Sequence, residues 1–205
     1  MKFLVDTSPA TLAKRESELI GGQLLTPLTN YKNAGVVFGI DNGAYSSFNA
    51  QSFKSLLSRN EKHKHNCLFV SCPDIVGSHA RTIELWRYRH EWIPIGWPLA
   101  FVAQDGAEVG EIPWDEMSAV FIGGCDPWKD SKHAQNIVKT ATILGKHKHI
   151  GRVNTVKRFR LFSELGADTC DGSGIAMYDH MLETIEQSLM APNVKRGLFA
   201  QATNK

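Results

Sequence analysis

Acidic side chains follow several short apolar runs of this chain, and two of them have the type and spacing for chemistry at an anomeric carbon. Asp41 follows the apolar run at residues 36–40, and Asp171 follows a brief run at residues 167–170. Two carboxylates across a pocket suit such chemistry, because one attacks or stabilises an oxocarbenium-like centre while the other handles the proton of the leaving group. The residues by themselves leave open which carboxylate takes which role.

Other polar strand ends have the groups needed to hold a flat base. Asp74 supplies an acceptor and Gln104 a mixed donor and acceptor, as reading the Watson–Crick edge of a purine requires. Further contacts to the ring are expected from Gly123, Gly124, Tyr45 and Ile150. The glycines would offer bare backbone N–H and C=O groups, and the tyrosine and isoleucine would pack on the two faces of the ring.

The elements that position these residues alternate between strand and helix patterns. Short apolar runs predict strands at residues 3–5, 36–40, 67–70, 99–102, 119–122, 149–153 and 167–170. Amphipathic patterns predict helices at residues 8–19, 49–58, 78–90, 131–144, 156–165 and 178–190. Residues 21–33 are interpreted as a loop with a short extended piece at 23–25, and the polar tail after Pro192 as loose. This alternation indicates a parallel α/β sheet.

Polar or glycine-rich clusters end six of the predicted strands. In a closed barrel all six would share one mouth, whereas in an open sheet only those at the switch point would face one ligand. The chain is therefore predicted to form one domain over residues 1–205, a compact (β/α)8-type TIM barrel. Because 205 residues is short for this fold, we expect an irregular barrel with short or missing helices.

Composition limits the partners. The chain is 42% hydrophobic and 21% charged, and no apolar run approaches the ~20 residues of a membrane span. The four cysteines have no zinc-site spacing, which predicts reduced thiols in a cytoplasmic setting and neither metal nor cofactor.

With a net charge of +2, a nucleic-acid surface has to be local, and the basic segment 146–160 is the candidate. Contacts to the nucleic-acid backbone are expected from Arg152, Asn154, Lys157 and Arg158. The histidines, mostly in basic contexts, are expected at the surface.

Six motifs in order resemble the active-site strand ends of the tRNA-guanine transglycosylase superfamily. They are Asp41-Asn-Gly-Ala-Tyr45, Cys72-Pro-Asp-Ile-Val-Gly77, Val102-Ala-Gln-Asp-Gly106, Phe121-Ile-Gly-Gly124, Ile150-Gly-Arg-Val153 and Gly166-Ala-Asp-Thr-Cys-Asp171. The short chain is similar to the zinc-free phage DNA-guanine transglycosylases, which place 7-deazaguanines in DNA.

This resemblance implies a role for each residue. Asp171 would attack C1′ and displace guanine. Asp41 would be the general acid/base that assists the departure of guanine and then deprotonates the incoming deazaguanine. Asp74 and Gln104 would read the base edge. Tyr45 and Ile150 would sandwich the ring, and the backbone of the glycine pair would add contacts to it. Gly172 and Gly174 would leave room for a sugar, and Asp168 would be structural. The resemblance also implies DNA and a 7-deazaguanine base as partners, in the cytoplasm of a phage host.

The chain departs from the tRNA enzymes at one feature. Those enzymes have a C-x-C-x-x-C and His zinc site after the last barrel strand, whereas no cysteine follows Asp171 here, and DNA is therefore the expected substrate. Three alternatives stay open: a tRNA-guanine transglycosylase, an N-glycoside hydrolase that passes the sugar to water, and a non-catalytic nucleic-acid-binding module that uses residues 146–160. The sequence leaves the deazaguanine, the DNA context, a helper protein and the oligomeric state undetermined.

Overall fold

Eight parallel strands close into a barrel in which each strand pairs with the next along the chain. The computed structural model describes residues 1–13, 16–30 and 32–190. The strands are β1 (Lys2–Val5), β2 (Ile20–Leu25), β3 (Phe38–Ile40), β4 (Cys67–Ser71), β5 (Leu99–Ala103), β6 (Ala119–Ile122), β7 (His147–Ile150) and β8 (Thr169–Cys170). The barrel closes where β8 pairs with β1, with Lys2 opposite Thr169 and Phe3 opposite Cys170. The predicted (β/α)8-type fold is confirmed.

The helices that surround the barrel are uneven in length. They are α1 (Pro9–Leu12), α2 (Ala50–Asn60), α3 (His79–Trp86), α4 (Asp126–Lys129), α5 (Lys132–Ile143), α6 (Val156–Glu164), α7 (Ser173–Met177) and α8 (Asp179–Met190). The described residues between β2 and β3 contain no helix, and β5 connects to β6 through two 3-10 turns. The expectation of short or missing helices is therefore confirmed. None of the helices in the described ranges has both the length and the apolar composition that crossing a membrane requires.

The first 33 residues differ most from the sequence prediction. The helix expected at residues 8–19 covers only Pro9–Leu12, and the loop expected from residue 21 is instead the strand Ile20–Leu25. Two adjacent glycines concealed this strand, because glycine is depleted in strands. At Gly22 the neighbouring backbone approaches so closely that a Cβ would lie 2.0 Å from the carbonyl oxygen of Val37. The polar tail after Pro192 lies outside the described residues.

Side chains alternate along each strand between the barrel interior and the layer beneath the helices. One buried cluster fills the interior with Leu4, Leu24, Phe69, Ala100, Val102, Ala119 and Phe121. Gly39 leaves space for a ring from the next strand, because a Cβ there would lie 2.5 Å from Phe69 Cζ. The larger outer cluster joins the strands to the helices. The interior is thus a packed core that supports residues at the carboxyl ends of the strands.

Candidate active site

A cavity of about 270 Å³ opens at the carboxyl ends of the strands. Eight of the predicted site residues line it: Asp41, Tyr45, Asp74, Gln104, Gly123, Gly124, Arg152 and Asp171. They come from the ends of β3 to β8, separated by up to 130 positions along the chain. Closure of the barrel is what places them around one ligand-sized space.

Asp171 directly follows β8, and both of its carboxylate oxygens have hydrogen-bond partners. The backbone N–H of Arg152 donates to Oδ1 over 3.0 Å, and Nε2 of His149 lies 3.1 Å from Oδ2. The side chain is 15% exposed and lines the cavity. Since a carboxylate oxygen has two lone pairs, each oxygen retains acceptor capacity toward the cavity.

Asp41 is placed in an environment that favours its neutral form. Burial raises its pKa to about 7, and the negative charges of Asp171 and Asp74 add to this rise. The backbone N–H of Gly43, which donates to Oδ1 over 2.6 Å, acts in the opposite direction. A carboxyl group with a pKa near neutrality exists in both forms at pH 7, so it can release a proton in one step and accept one in another.

Asp74 and Gln104 form a fixed pair beside these carboxylates. Gln104 Nε2 donates to Asp74 Oδ2 over 2.6 Å, and Asn42 Nδ2 donates to Asp74 Oδ1 over 2.7 Å. Burial raises the pKa of Asp74, and the bonds from Asn42 and Gln104 oppose this rise. Gln104 Oε1 accepts the N–H groups of Gly77 and Gly124, both over 2.9 Å. After these bonds, Asp74 retains acceptor capacity and Gln104 one N–H, as a purine edge requires.

The two glycines do not present their N–H groups as predicted. Gly123 N–H donates to the carbonyl of Ala103 over 2.9 Å, and Gly124 N–H is held by Gln104. The carbonyl of Gly124 accepts from the Arg152 guanidinium over 2.8 Å. Their missing side chains have a use, because a Cβ on Gly123 would lie 2.7 Å from Gln104 Nε2. Gly123 thus makes room for the amide of Gln104, whereas a Cβ on Gly124 would lie 2.4 Å from the ring of Trp128.

Tyr45 and Arg152 lie together at the mouth of the cavity. The tyrosine is 68% exposed, and the guanidinium carbon lies 4.3 Å from the centre of its ring. Arg152 has a φ of 57°, the left-handed region that residues other than glycine seldom adopt. The prediction that Tyr45 offers a stacking face fits this position, although the face is covered by the arginine here.

The placement of Ile150 contradicts the prediction that it packs on a base. Its side chain is fully buried in the outer cluster, between the barrel and the helices. The strand was predicted at residues 149–153 but spans His147–Ile150, and alternation then directs His147 and His149 inward and Ile150 outward. Val102 and Phe121 supply apolar surface to the cavity instead.

One of the predicted nucleic-acid contacts is also corrected. Arg158 is engaged with carboxylates of its own chain, because Nε lies 2.8 Å from Asp130 Oδ1 and Nη1 lies 3.1 Å from Asp126 Oδ1. Asn154 is exposed beside Gly172, where a Cβ would lie 2.8 Å from its Oδ1, and its predicted contact stays a prediction. Lys157 is exposed in the first turn of α6, so it is accessible for the predicted contact.

The glycines after Asp171 serve protein packing and do not leave room for a sugar as predicted. A Cβ on Gly172 would lie 2.6 Å from the carbonyl oxygen of Val153, and one on Gly174 would lie 2.4 Å from the sulfur of Met181. Asp168 lies before β8, where its Oδ2 accepts from Lys148 Nζ and from Lys148 N–H, both over 2.9 Å. It is absent from the lining of the cavity.

Three residues of the site were not found from the sequence. Asn42 is buried and orients Asp74, and it also donates to the carbonyl of Cys72 over 2.6 Å. Lys129 lines the cavity and donates to the carbonyl of Gly151 over 2.6 Å, and burial and the charge of Arg152 lower its pKa to about 8. His149 contacts Asp171 from the barrel interior. The alternation of His147 and His149 along a strand is the only signal that would have placed a histidine inside.

No cluster of three or more His, Cys, Asp or Glu side chains that could bind a metal ion is found within residues 1–13, 16–30 and 32–190. Neither a scan against protein-family models nor a search of curated proteins finds a match for the chain.

Proposed function

We propose that this protein is a DNA-guanine transglycosylase, which exchanges guanine in DNA for a 7-deazaguanine base such as 7-cyano-7-deazaguanine. The observation that carries the proposal is the pairing of two unlike carboxyl groups in one cavity. Asp171 is held by two donors, whereas Asp41 has its pKa raised to about 7. Carboxyl groups whose environments differ in this way suit a nucleophile and a general acid/base.

In the first half of the reaction, an oxygen of Asp171 attacks C1′ of the target nucleotide. The bond from C1′ to N9 of guanine breaks, and its electron pair leaves with the base. Protonated Asp41 supplies the proton that the departing guanine needs. The product is a covalent ester between Asp171 and the sugar.

The second half reverses these events with a different base. Ionised Asp41 takes the proton from the nitrogen of the incoming deazaguanine, and that nitrogen attacks C1′. The ester bond breaks, and its electron pair returns to Asp171. Two displacements at one carbon retain the β-anomer.

The pair of Asp74 and Gln104 supports guanine as the base. Guanine presents two kinds of N–H donor and one carbonyl acceptor on its Watson–Crick edge, and Asp74 has acceptor capacity while Gln104 has one N–H. A 7-deazaguanine has the same edge. Discrimination against adenine follows, because adenine would bring an acceptor to the carboxylate of Asp74 and leave it unpaired.

DNA is the proposed substrate, and the choice over tRNA follows from the resemblance to the zinc-free enzymes. A target base in a duplex has to be flipped to enter a cavity of about 270 Å³, and exposed Lys157 is available for a backbone phosphate. The phage origin and the cytoplasmic setting implied by the resemblance belong to the same proposal.

The decisive experiment is nucleoside mass spectrometry of DNA and tRNA from cells that express the protein and are supplied with a deazaguanine. We expect the modified nucleoside in DNA. Modified tRNA with unmodified DNA would refute the choice of DNA, and unmodified pools of both would refute base exchange by this chain without a helper protein. Purified protein that releases guanine from an oligonucleotide without inserting a base would instead indicate a hydrolase.

Replacement of Asp171 tests its role as the nucleophile. Asp171→Asn is expected to lower exchange by more than ~10³-fold and to abolish the covalent adduct, because an amide is a poor nucleophile. Asp168→Asn is the matched control, since the same change three residues earlier falls outside the cavity. Equal activity of Asp171→Asn and the control would remove Asp171 from the mechanism.

A further inference from the structure

Four polar side chains form a line through the barrel interior: two from β7, one from β8 and one from the residue that directly follows β8. His147 Nε2 lies 2.8 Å from Thr169 Oγ1, which lies 2.9 Å from His149 Nδ1. His149 Nε2 in turn lies 3.1 Å from Asp171 Oδ2. The register places His149 opposite Thr169, and side chains two positions apart on a strand share a face. The line therefore ends at the carboxylate to which the proposed reaction assigns the attack.

The positions of the hydrogens follow from the partners of each group. An ionised carboxylate only accepts, so the hydrogen between His149 and Asp171 is on Nε2. In the neutral ring Nδ1 is then an acceptor, and the hydroxyl of Thr169 donates to it. The oxygen of Thr169 accepts from Nε2–H of His147, whose pKa burial lowers to about 4, so that this ring is neutral as well. Each donor in the line thus points toward Asp171.

The ring of His149 is fixed by its surroundings. It lies between two aromatic rings, with centroid distances of 4.7 Å to Phe69 and 4.6 Å to Phe121. It has no exposed surface, whereas Asp171 lines the cavity. His149 therefore does not reach a ligand in the cavity and acts on one only through Asp171.

We infer that His149 is a positioning residue that holds the Asp171 carboxylate and stabilises it as the leaving group in the second half of the reaction. This inference depends on the proposed function. Among the hydrogen bonds that residues 1–13, 16–30 and 32–190 make to the Asp171 carboxylate, the one from His149 is made by a side chain, and the one from Arg152 comes from the backbone. The two bonds together fix the plane of the carboxylate.

The two halves of the reaction use this hydrogen bond differently. In the covalent ester Asp171 has lost its negative charge, so the N–H of His149 faces a weaker acceptor. When the incoming base bonds to C1′, the electron pair of the ester bond returns to Asp171, and the hydrogen bond regains its full strength. His149 keeps its proton throughout, and the proton of the base goes to Asp41. Loss of the donor therefore slows breakdown of the ester more than its formation.

Two substitutions separate this role from simple packing. In His149→Gln the amide nitrogen extends to about the position of Nε2 and retains a donor toward Asp171, whereas in His149→Asn the amide is too short to reach it. Each protein is mixed with a guanine-containing DNA oligonucleotide, the covalent adduct is quantified on denaturing gels, and free guanine is added to chase it. Formation and breakdown are thereby measured as separate rates.

We expect His149→Asn to slow the chase by about 10- to 100-fold, with a smaller effect on formation, so that adduct accumulates. His149→Gln is expected to stay within about fivefold of the wild type. The inference would be refuted if His149→Asn slowed formation and breakdown of the adduct equally, or if His149→Asn and His149→Gln had equal defects. Base exchange by the wild type would be unaffected by either result. A wild-type protein that forms no adduct and exchanges no base would refute the proposed function itself.

A measurement on the unreacted protein covers the case in which His149→Asn does not fold. Side-chain ¹⁵N spectra of the wild type are expected to show His149 with hydrogen on Nε2 and a bare Nδ1. Asp171→Ala is expected to shift the Nε2 resonance, because its acceptor is gone. A His149 ring without hydrogen on Nε2 would refute the line of hydrogen bonds. An Nε2 resonance that does not shift in Asp171→Ala would also refute it.

Discussion

Replacement of Asp41 by asparagine should change how the stability of the protein depends on pH. The ordinary pKa of this carboxyl is 3.8, and in the folded protein it is raised to about 7. Between these values the folded state binds a proton that the unfolded state has released, so the contribution of Asp41 to stability falls as pH rises from about 4 to 7. One pKa unit corresponds to about 1.4 kcal/mol, and water in the cavity reduces the full effect, which leaves on the order of 2–4 kcal/mol. Asparagine cannot ionise and is free of this loss, while its Oδ1 can still accept from Gly43.

Thermal unfolding at pH 4 and pH 8 measures this effect without any substrate. For a domain of this size, 1 kcal/mol shifts the unfolding midpoint by about 2–4 °C. The difference in midpoint between Asp41→Asn and the wild type is therefore expected to be about 5–15 °C more in favour of the variant at pH 8 than at pH 4. Asp115→Asn, an exposed carboxyl outside the cavity, is the control and should parallel the wild type. Parallel curves for Asp41→Asn would show that Asp41 is ionised in the folded state, and the proposed acid/base role would lose its physical basis.

Two further predictions concern packing and charge. Gly39→Ala is expected to lower the free energy of unfolding by about 1–3 kcal/mol in urea titrations, because its Cβ would lie 2.5 Å from Phe69 Cζ. Gly110→Ala is the control, because a Cβ at that position would have no atom within 4 Å. Equal effects of the two substitutions would contradict close packing at Gly39. Lys157→Ala is expected to reduce the salt dependence of DNA binding by about one unit of slope, with stability unchanged. Arg158→Ala should mainly lower stability, by up to about 1 kcal/mol, because two exposed carboxylates lose their partner. An unchanged slope for Lys157→Ala would exclude it from the nucleic-acid surface.

The fold was predictable because the strand ends are distinctive. Short apolar runs followed by polar or glycine-rich clusters are what a parallel barrel requires, and β3 to β6 end where the patterns indicated, within two residues. The strand Ile20–Leu25 was concealed because Gly21 and Gly22 serve close backbone contact, which no periodicity reveals. Only its second half was predicted, as an extended piece at residues 23–25 that was not counted as a strand, and the count was therefore one short of eight.

The site was predictable where a residue directly ends a strand and much less so elsewhere. Asp41, Asp74, Gln104 and Asp171 line the cavity, since the carboxyl ends of all strands face one mouth. Ile150 was misplaced because the sequence did not reveal that His147 and His149 occupy the inward face of β7, which directs Ile150 into the outer cluster. Arg158 was misinterpreted because a charge in sequence does not reveal its partners, here Asp126 and Asp130.

The left-handed backbone conformation of Arg152 separates the role of its main chain from the role of its side chain. Glycine would adopt a φ of 57° without the cost of about 1 kcal/mol that a side chain adds there. Glycine would also keep the N–H that donates to Asp171, because that group belongs to the main chain. Backbone and side chain at residue 152 are thus separable, and Arg152→Gly deletes the guanidinium over Tyr45 while sparing the support of the carboxylate. The backbone at residue 152 does not require an arginine, so the reason for this residue lies in its side chain, which binds the Gly124 carbonyl and places a positive charge over Tyr45 at the entrance to the cavity.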